Sequence, residues 1–231
     1  MLISPQNLAV NLDSIRRRIA QAAVSAGRDA AGITLIAVGK TQPAEVLRCA
    51  ALAGVTDFGE NYLQEAASKI DRLADLDLRW HYLGRIQANK TRAIAARFDW
   101  VHGVDRVEVA CRLSDQRSPH RPPLELCIQV ALAAEANKGG VAPADLPDAA
   151  ARIAPMPHLR LRGLMCLPPP ETDPARQRPV FAEMRRLLQE LNARGFALDV
   201  LSMGMSGDFE AAIAEGATHV RIGTALFGAR T

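Results

Sequence analysis

The sequence predicts an α/β protein built as a single (β/α)8 TIM barrel, and three observations carry that expectation. Short apolar runs alternate with longer amphipathic ones from residue 33 to the end, eight such runs can be counted, and the length is 231 residues. Barrels of this kind take roughly 200 to 250 residues. Alternation demands parallel pairing, because each helical crossover returns the chain to the same end of the sheet. An open doubly wound sheet is the alternative, since it uses the same units with a strand count one or two away.

The elements follow in order. Ser4-Pro5 is a helix-start signal, and Leu8, Leu12, Ile15, Ile19 and Ala22 then recur at three- and four-residue steps, predicting an amphipathic helix that ends near Gly27. Strands are expected over 33–38, 56–58, 80–83, 100–102, 124–130, 161–166, 198–202 and 218–222. Helices are expected over 44–53, 62–73, 89–97, 107–113, 144–153, 176–194 and 208–215. The Pro168-Pro169-Pro170 cluster reads as a loop rather than a linker, so residues 1–231 are expected to form one domain. Aromatic residues make up 4% of the chain, as suits aliphatic helices packed on aliphatic strands.

Composition excludes several classes. The chain carries 28 Lys and Arg against 25 Asp and Glu, a net charge of +3 spread along its whole length, which is no nucleic-acid signature. No apolar run reaches the roughly 18 residues of a membrane span. The start, Met-Leu-Ile-Ser-Pro-Gln-Asn, has no basic region leading into an apolar stretch, so a cytoplasmic location is expected. Cys49, Cys111, Cys127 and Cys166 lie far apart with no C-x-x-C pair or histidine at zinc-ligand spacing, and are read as reduced thiols with no metal site. Cys166 closes an apolar run and is singled out for that reason.

Ring closure makes distant residues neighbours, because the residues after each barrel strand surround one mouth. Lys40 follows the first strand, Ser206 and Gly207 the seventh, and Gly223 and Thr224 the eighth. Gly39-Lys40-Thr41 resembles the end of a phosphate-binding P-loop, yet the required upstream glycine is Thr34 and the intervening residues are strand material. Gly204-Met205-Ser206-Gly207-Asp208 misses the hydrolase elbow by its last residue. It reads as a helix start facing an anion, with plain capping by Ser206 or Asp208 as the simpler alternative. Arg221-Ile222-Gly223-Thr224 offers a second anion-binding turn where barrels of this kind hold phosphates. Lys40 ends an apolar strand, where desolvation lowers an amine's pKa. A solvated surface lysine is the alternative. Beside a phosphate site it suggests a Schiff base, with either a sugar phosphate or pyridoxal 5′-phosphate (PLP). His102 and His219 fall within strands, His120 and His158 in loops, and His81 at a strand end, either at the mouth or hydrogen-bonded in the core.

Several stretches taken together resemble the pyridoxal phosphate homeostasis protein family, the YggS-type proteins. They are Ala37-Val38-Gly39-Lys40-Thr41, Phe58-Gly59-Glu60-Asn61-Tyr62, His81-Tyr82-Leu83-Gly84 with Gln87 and Asn89-Lys90, and Gly163-Leu164-Met165. Leu201-Ser202-Met203-Gly204-Met205-Ser206 and Arg221-Ile222-Gly223-Thr224-Ala225-Leu226-Phe227-Gly228 complete the set. The resemblance implies a barrel like the N-terminal domain of alanine racemase, with PLP held as a Schiff base on Lys40. It further implies phosphate contacts from Ser206, Gly223 and Thr224, Arg221 near the pyridine nitrogen, Asn61 close to the cofactor and Met165 at the ring face. Gly39 where the family usually has Ser, Arg85 where it often has His, and Asn137-Lys138-Gly139-Gly140 where it has Lys-Ser-Gly are departures.

A guanidinium only donates, so a pyridine nitrogen facing Arg221 stays unprotonated and the cofactor is a blunted electron sink. Racemisation also needs acid and base groups on opposite faces of the substrate carbon. Racemases draw the second one, a tyrosine, from a further β domain, and Tyr62 and Tyr82 have no motif-based claim to that role. The expectation is a non-catalytic PLP store or carrier in PLP homeostasis, serving PLP-dependent apoenzymes as a monomer. A weakly active PLP-dependent amino-acid racemase and a cofactor-free Schiff-base aldolase are the alternatives.

Overall fold

In a computed structural model describing residues 3–132, 139–169 and 171–228, eight parallel strands close into a barrel in sequence order. The strands are β1 (Thr34–Val38), β2 (Asp57–Glu60), β3 (Arg79–Tyr82), β4 (Trp100–Val104), β5 (Leu124–Gln129), β6 (Leu159–Met165), β7 (Val200–Ser202) and β8 (His219–Ile222). Closure is explicit in the register: Ile36 of β1 lies opposite Asp57 of β2, and Leu35 opposite Val220 of β8. The open-sheet alternative is thereby excluded.

Helices surround the strands: α1 (Pro5–Ser25), α2 (Ala44–Leu52), α3 (Leu63–Arg72), α4 (Thr91–Arg97), α5 (Val107–Gln116), α6 (Leu146–Ile153), α7 (Pro174–Ala193), α8 (Phe209–Ala214) and the single turn α9 (Thr224–Phe227). Ser4 caps α1 by accepting from the Asn7 amide at 3.2 Å, and Leu8, Leu12, Ile15, Ile19 and Ala23 form its buried stripe. Each such Leu or Ile contributes about 1.5–3 kcal/mol. That stripe packs on α8, α9 and α2, and Asn11 Nδ2 donates to the Leu226 carbonyl at 3.0 Å. The N-terminal helix thus bridges the last and first β/α units, where α9 is too short to do so.

Expected boundaries move by a few residues. The second strand runs to Glu60 rather than 58, because its Gly59 and Glu60 pair with His81 and Tyr82, a tertiary register that local hydropathy does not report. The seventh shortens to Val200–Ser202. The expected helix over 89–97 opens as a 3-10 turn, Ala88–Lys90, before α4. Pro170, Asn137 and Lys138 lie outside the described residues.

The core between strands and helices is mainly aliphatic, with Phe58, Phe98, Phe181 and Phe209 buried in it, whereas the barrel interior is partly polar: Asp57, His81, His102, Ser202, His219 and Arg221 are all buried. Among the described residues no helix is long and apolar enough to cross a membrane.

Candidate functional site

A cavity of about 310 Å³ opens at the carboxyl ends of the strands, a size typical of small-molecule sites. Lys40, Asn61, Met165, Ser206, Arg221, Gly223 and Thr224 all line it. So do apolar walls from Leu83, Leu167 and Phe227 that residue-by-residue reading missed. His81 is fully buried and does not line the cavity, which makes it a core histidine rather than a mouth residue.

Lys40 reaches the cavity from a tightly held turn. Gly39 donates to the Gly59 carbonyl at 2.9 Å, and Gln42 donates back to Gly39 at 2.9 Å. Thr41 has φ 67°, the one positive value at a non-glycine among the described residues, a left-handed conformation costing about 1–3 kcal/mol at such a residue. Its amide donates to Glu65 Oε1 at 2.6 Å. Beneath the turn, Lys69 Nζ donates to the Gly39 carbonyl at 2.7 Å, to Glu60 Oε1 at 2.8 Å and to Glu65 Oε1. Burial pushes the Glu60 carboxyl up to about 7 against the pull of Lys69. The three described lysines therefore differ in duty: Lys69 is consumed by its ion pairs, Lys90 ends a 3-10 turn away from the cavity, and Lys40 alone of them lines it.

The opposite wall comes from the loops after β7 and β8. Gly204 has φ 93°, and an added Cβ there would sit 2.7 Å from the Ala212 Cβ, so glycine alone permits the turn that delivers Met205, Ser206 and Gly207 to the mouth. Asp208 Oδ1 accepts from the Met205 amide at 2.5 Å. Ser206 Oγ accepts from the Ala225 amide at 3.2 Å, tying the β7 loop to the first turn of α9. Plain capping of α8 by Ser206 is thus replaced by a bond across two loops. Within that turn the Leu226 and Phe227 amides donate to the Gly223 carbonyl, and Thr224 adds a hydroxyl beside it at the cavity wall.

Arg221 is 4% exposed. Its Nη1 donates to Ser202 Oγ at 2.8 Å and its Nη2 to the Cys166 carbonyl at 2.8 Å. Burial lowers its pKa, yet guanidinium retains its proton at any ordinary pH. Cys166, singled out by its place in the sequence, acts through that carbonyl. Its thiol is buried and pushed up to about 12, hence inert. Met165 is 1% exposed and packs with Trp100, Cys127 and Val200. Asn61 follows β2, and its carbonyl would lie 2.2 Å from a Cβ at Gly84, so that glycine is needed for the close approach of the two loops.

Residues 10–231 match the family model of the alanine racemase N-terminal domain. The pyridoxal phosphate homeostasis protein of Pseudomonas aeruginosa is 56% identical over 223 residues, covering 96% of each chain, and that of Escherichia coli is 47% identical over 227 residues, covering 97% of each. Among solved structures, PipY of Synechococcus elongatus with PLP bound superposes with a TM-score of 0.85 at 38% identity, covering 96% of this chain and all of that one. Alanine racemase from Corynebacterium glutamicum, at 20% identity and a TM-score of 0.69, shares the fold over 96% of this chain and 60% of its own. The chain belongs to the alanine racemase N-terminal domain family and, within it, to the pyridoxal phosphate homeostasis proteins.

Proposed function

We propose that residues 1–231 form one PLP-binding domain that holds the cofactor through Lys40 and stores or delivers it in PLP homeostasis. The observation that carries this reading is the convergence of Lys40, Arg221, Ser206 and Thr224 on one cavity. An amine, a donor-only cation and two hydroxyls are the donor set that an aldehyde, a pyridine nitrogen and a phosphate ester require. The names of the curated relatives and the PLP in PipY support the same reading.

The cofactor, when bound, supplies an aldehyde that condenses with a primary amine and releases water. Lys40 offers that amine from a turn whose backbone is fixed by Lys69, Glu60 and Glu65. Ser206, Gly223 and Thr224 would hold the phosphate, with Met165 and Asn61 lining the same cavity close to the ring. Arg221 would donate to the ring nitrogen and so favour its unprotonated form, because a guanidinium has no acceptor.

A storage or delivery role is favoured over turnover. Two-sided proton transfer needs a second acid or base in the cavity, and neither tyrosine lines it. Tyr82 is buried edge-on against Phe98, and its hydroxyl donates to the Arg85 carbonyl at 3.4 Å. Tyr62 is 59% exposed at the start of α3. The recipients are read as PLP-dependent apoenzymes, and the protein as a cytoplasmic monomer.

Addition of PLP to the purified protein is expected to give a visible, borohydride-reducible absorbance that Lys40→Ala abolishes. Alanine incubated with the loaded protein in deuterium oxide is expected to gain no deuterium at its α-carbon. A reducible adduct that persists in Lys40→Ala overturns the lysine assignment, and rapid deuterium uptake overturns the non-catalytic reading.

A further inference from the structure

Inside the barrel the buried side chains of Asp57, His81, His102, Ser202 and Arg221 form one continuous file, with the His219 ring beside it. Thr56 Oγ1 and Arg79 Nη2 donate to Asp57 Oδ2 at 2.7 and 2.8 Å. Asp57 Oδ1 lies 3.0 Å from His81 Nε2, His81 Nδ1 2.9 Å from His102 Nε2, and His102 Nδ1 2.8 Å from Ser202 Oγ. Ser202 Oγ in turn receives Arg221 Nη1. The file starts at the amino-terminal rim, where Arg79 is exposed, and ends at the cavity wall.

The chemistry at the two ends fixes the direction of every bond. Asp57 is an acceptor, since His81, Arg79 and Thr56 hold its carboxyl well below the usual range despite burial. His81 must therefore place its proton on Nε2. Burial keeps His81 and His102 neutral, with Arg79, Arg221 and His219 opposing protonation and Asp57 and Asp99 too weak to reverse it. A neutral His81 accepts at Nδ1, so His102 carries its proton on Nε2 and accepts at Nδ1, and the Ser202 hydroxyl supplies that bond. Arg221 is donor-only at the other end.

We propose that Ser202, His102, His81 and Asp57 are positioning residues for Arg221, a one-way hydrogen-bond chain that fixes the guanidinium against the ring of a bound cofactor. The buried cation has two neutral oxygen partners and no carboxylate in direct contact among the described residues. Each link polarises the next, while the carboxylate whose charge acts on the guanidinium is Asp208, which makes no direct contact with it. Arg221 thereby keeps its full donor strength toward the cavity, where a direct carboxylate partner would compete for its N–H groups. This rests on the PLP-binding reading of the site.

Two experiments test it. Nitrogen-15 spectra of the histidine rings in the wild-type protein near pH 7.5 are expected to show His81 and His102 as neutral Nε2–H tautomers. A Nδ1–H tautomer or a doubly protonated ring at either position overturns the chain, whether or not any variant folds. In the second, PLP release and the visible band of the bound cofactor are compared in wild type, Ser202→Ala, Ser202→Thr and Asp57→Asn. Ser202→Ala is expected to speed release by about tenfold and to shift the band, as loss of a charge-assisted bond implies. Ser202→Thr restores wild-type behaviour, and Asp57→Asn moves both readouts less, since an amide oxygen still accepts from His81. In an Arg221→Gln background Ser202→Ala adds nothing further. Unchanged release and band in Ser202→Ala, or additivity with Arg221→Gln, overturns the proposal. Failure of the wild type to bind PLP instead overturns the functional reading, and the tautomers then decide the hydrogen-bond chain by themselves.

Discussion

Two buried polar systems flank the cavity, and they solve the same problem in different ways. Under β1, Lys69 meets Glu60 and Glu65 directly, a compact ionic knot outside the barrel that grips the Gly39 carbonyl and so the backbone of Lys40. Within the barrel, Arg221 is separated from Asp57 by Ser202 and two neutral histidines. Direct pairing immobilises a turn but consumes the lysine that performs it. A dispersed chain immobilises a guanidinium while leaving it available, and only the second arrangement suits a cation that must also face a ligand.

Breaking the compact knot has the largest expected effect. Lys69→Met strands the fully buried Glu60 and releases the Lys40 turn, lowering stability by about 3–5 kcal/mol in urea unfolding at pH 8. Because burial already places the Glu60 carboxyl near 7, that loss is smaller at pH 5, where the carboxyl is neutral. An equal loss at both values contradicts an ionic role for the knot.

The dispersed chain and the His219 ring beside it are expected to respond to acid. Burial holds His81 and His102 below the ordinary histidine value and His219 down to about 3. A histidine depressed in the folded state stabilises fully above about pH 6.5, and loses up to about 1.4 kcal/mol per unit as pH falls toward its folded value. The histidine contribution should therefore decline from pH 6.5 toward pH 3, opposed above about pH 4.5 by the raised Glu60 carboxyl, so the wild type should lose more stability over that window than His219→Gln. Identical wild-type and His219→Gln profiles over that window contradict a neutral buried ring at His219.

Smaller effects sharpen the contrast at the cavity itself. Gly84→Ala brings a Cβ to 2.2 Å from the Asn61 carbonyl, costing about 1–3 kcal/mol and weakening PLP retention by displacing Asn61. Ser206→Ala removes the acceptor for the Ala225 amide, with a loss of about 0.5–1.5 kcal/mol and faster release of the phosphate ester in dialysis. Retention unchanged by Ser206→Ala would place the phosphate elsewhere.

Alternating apolar runs in the sequence located all eight strands, and ring closure alone brought Lys40 beside Ser206 and Thr224. The interior chain was not legible, for a physical reason. His81, His102 and Ser202 sit on three strands, and whether each points inward depends on registers that include a shift between Val101 and Val104. Hydropathy marks a strand but not its inward face when both faces are buried. The knot was half visible: Glu65 and Lys69 have helical i,i+4 spacing, whereas the partnership with Glu60 needs the lengthened β2 and its contact with α3.

Whether Lys40 is the amine that carries the cofactor is tested most directly by borohydride reduction of the PLP-loaded protein followed by peptide mass spectrometry. A single pyridoxyl-phosphate adduct is expected, on the peptide containing Lys40. An adduct at Lys69, Lys90 or Lys138 with Lys40 unmodified would contradict that assignment.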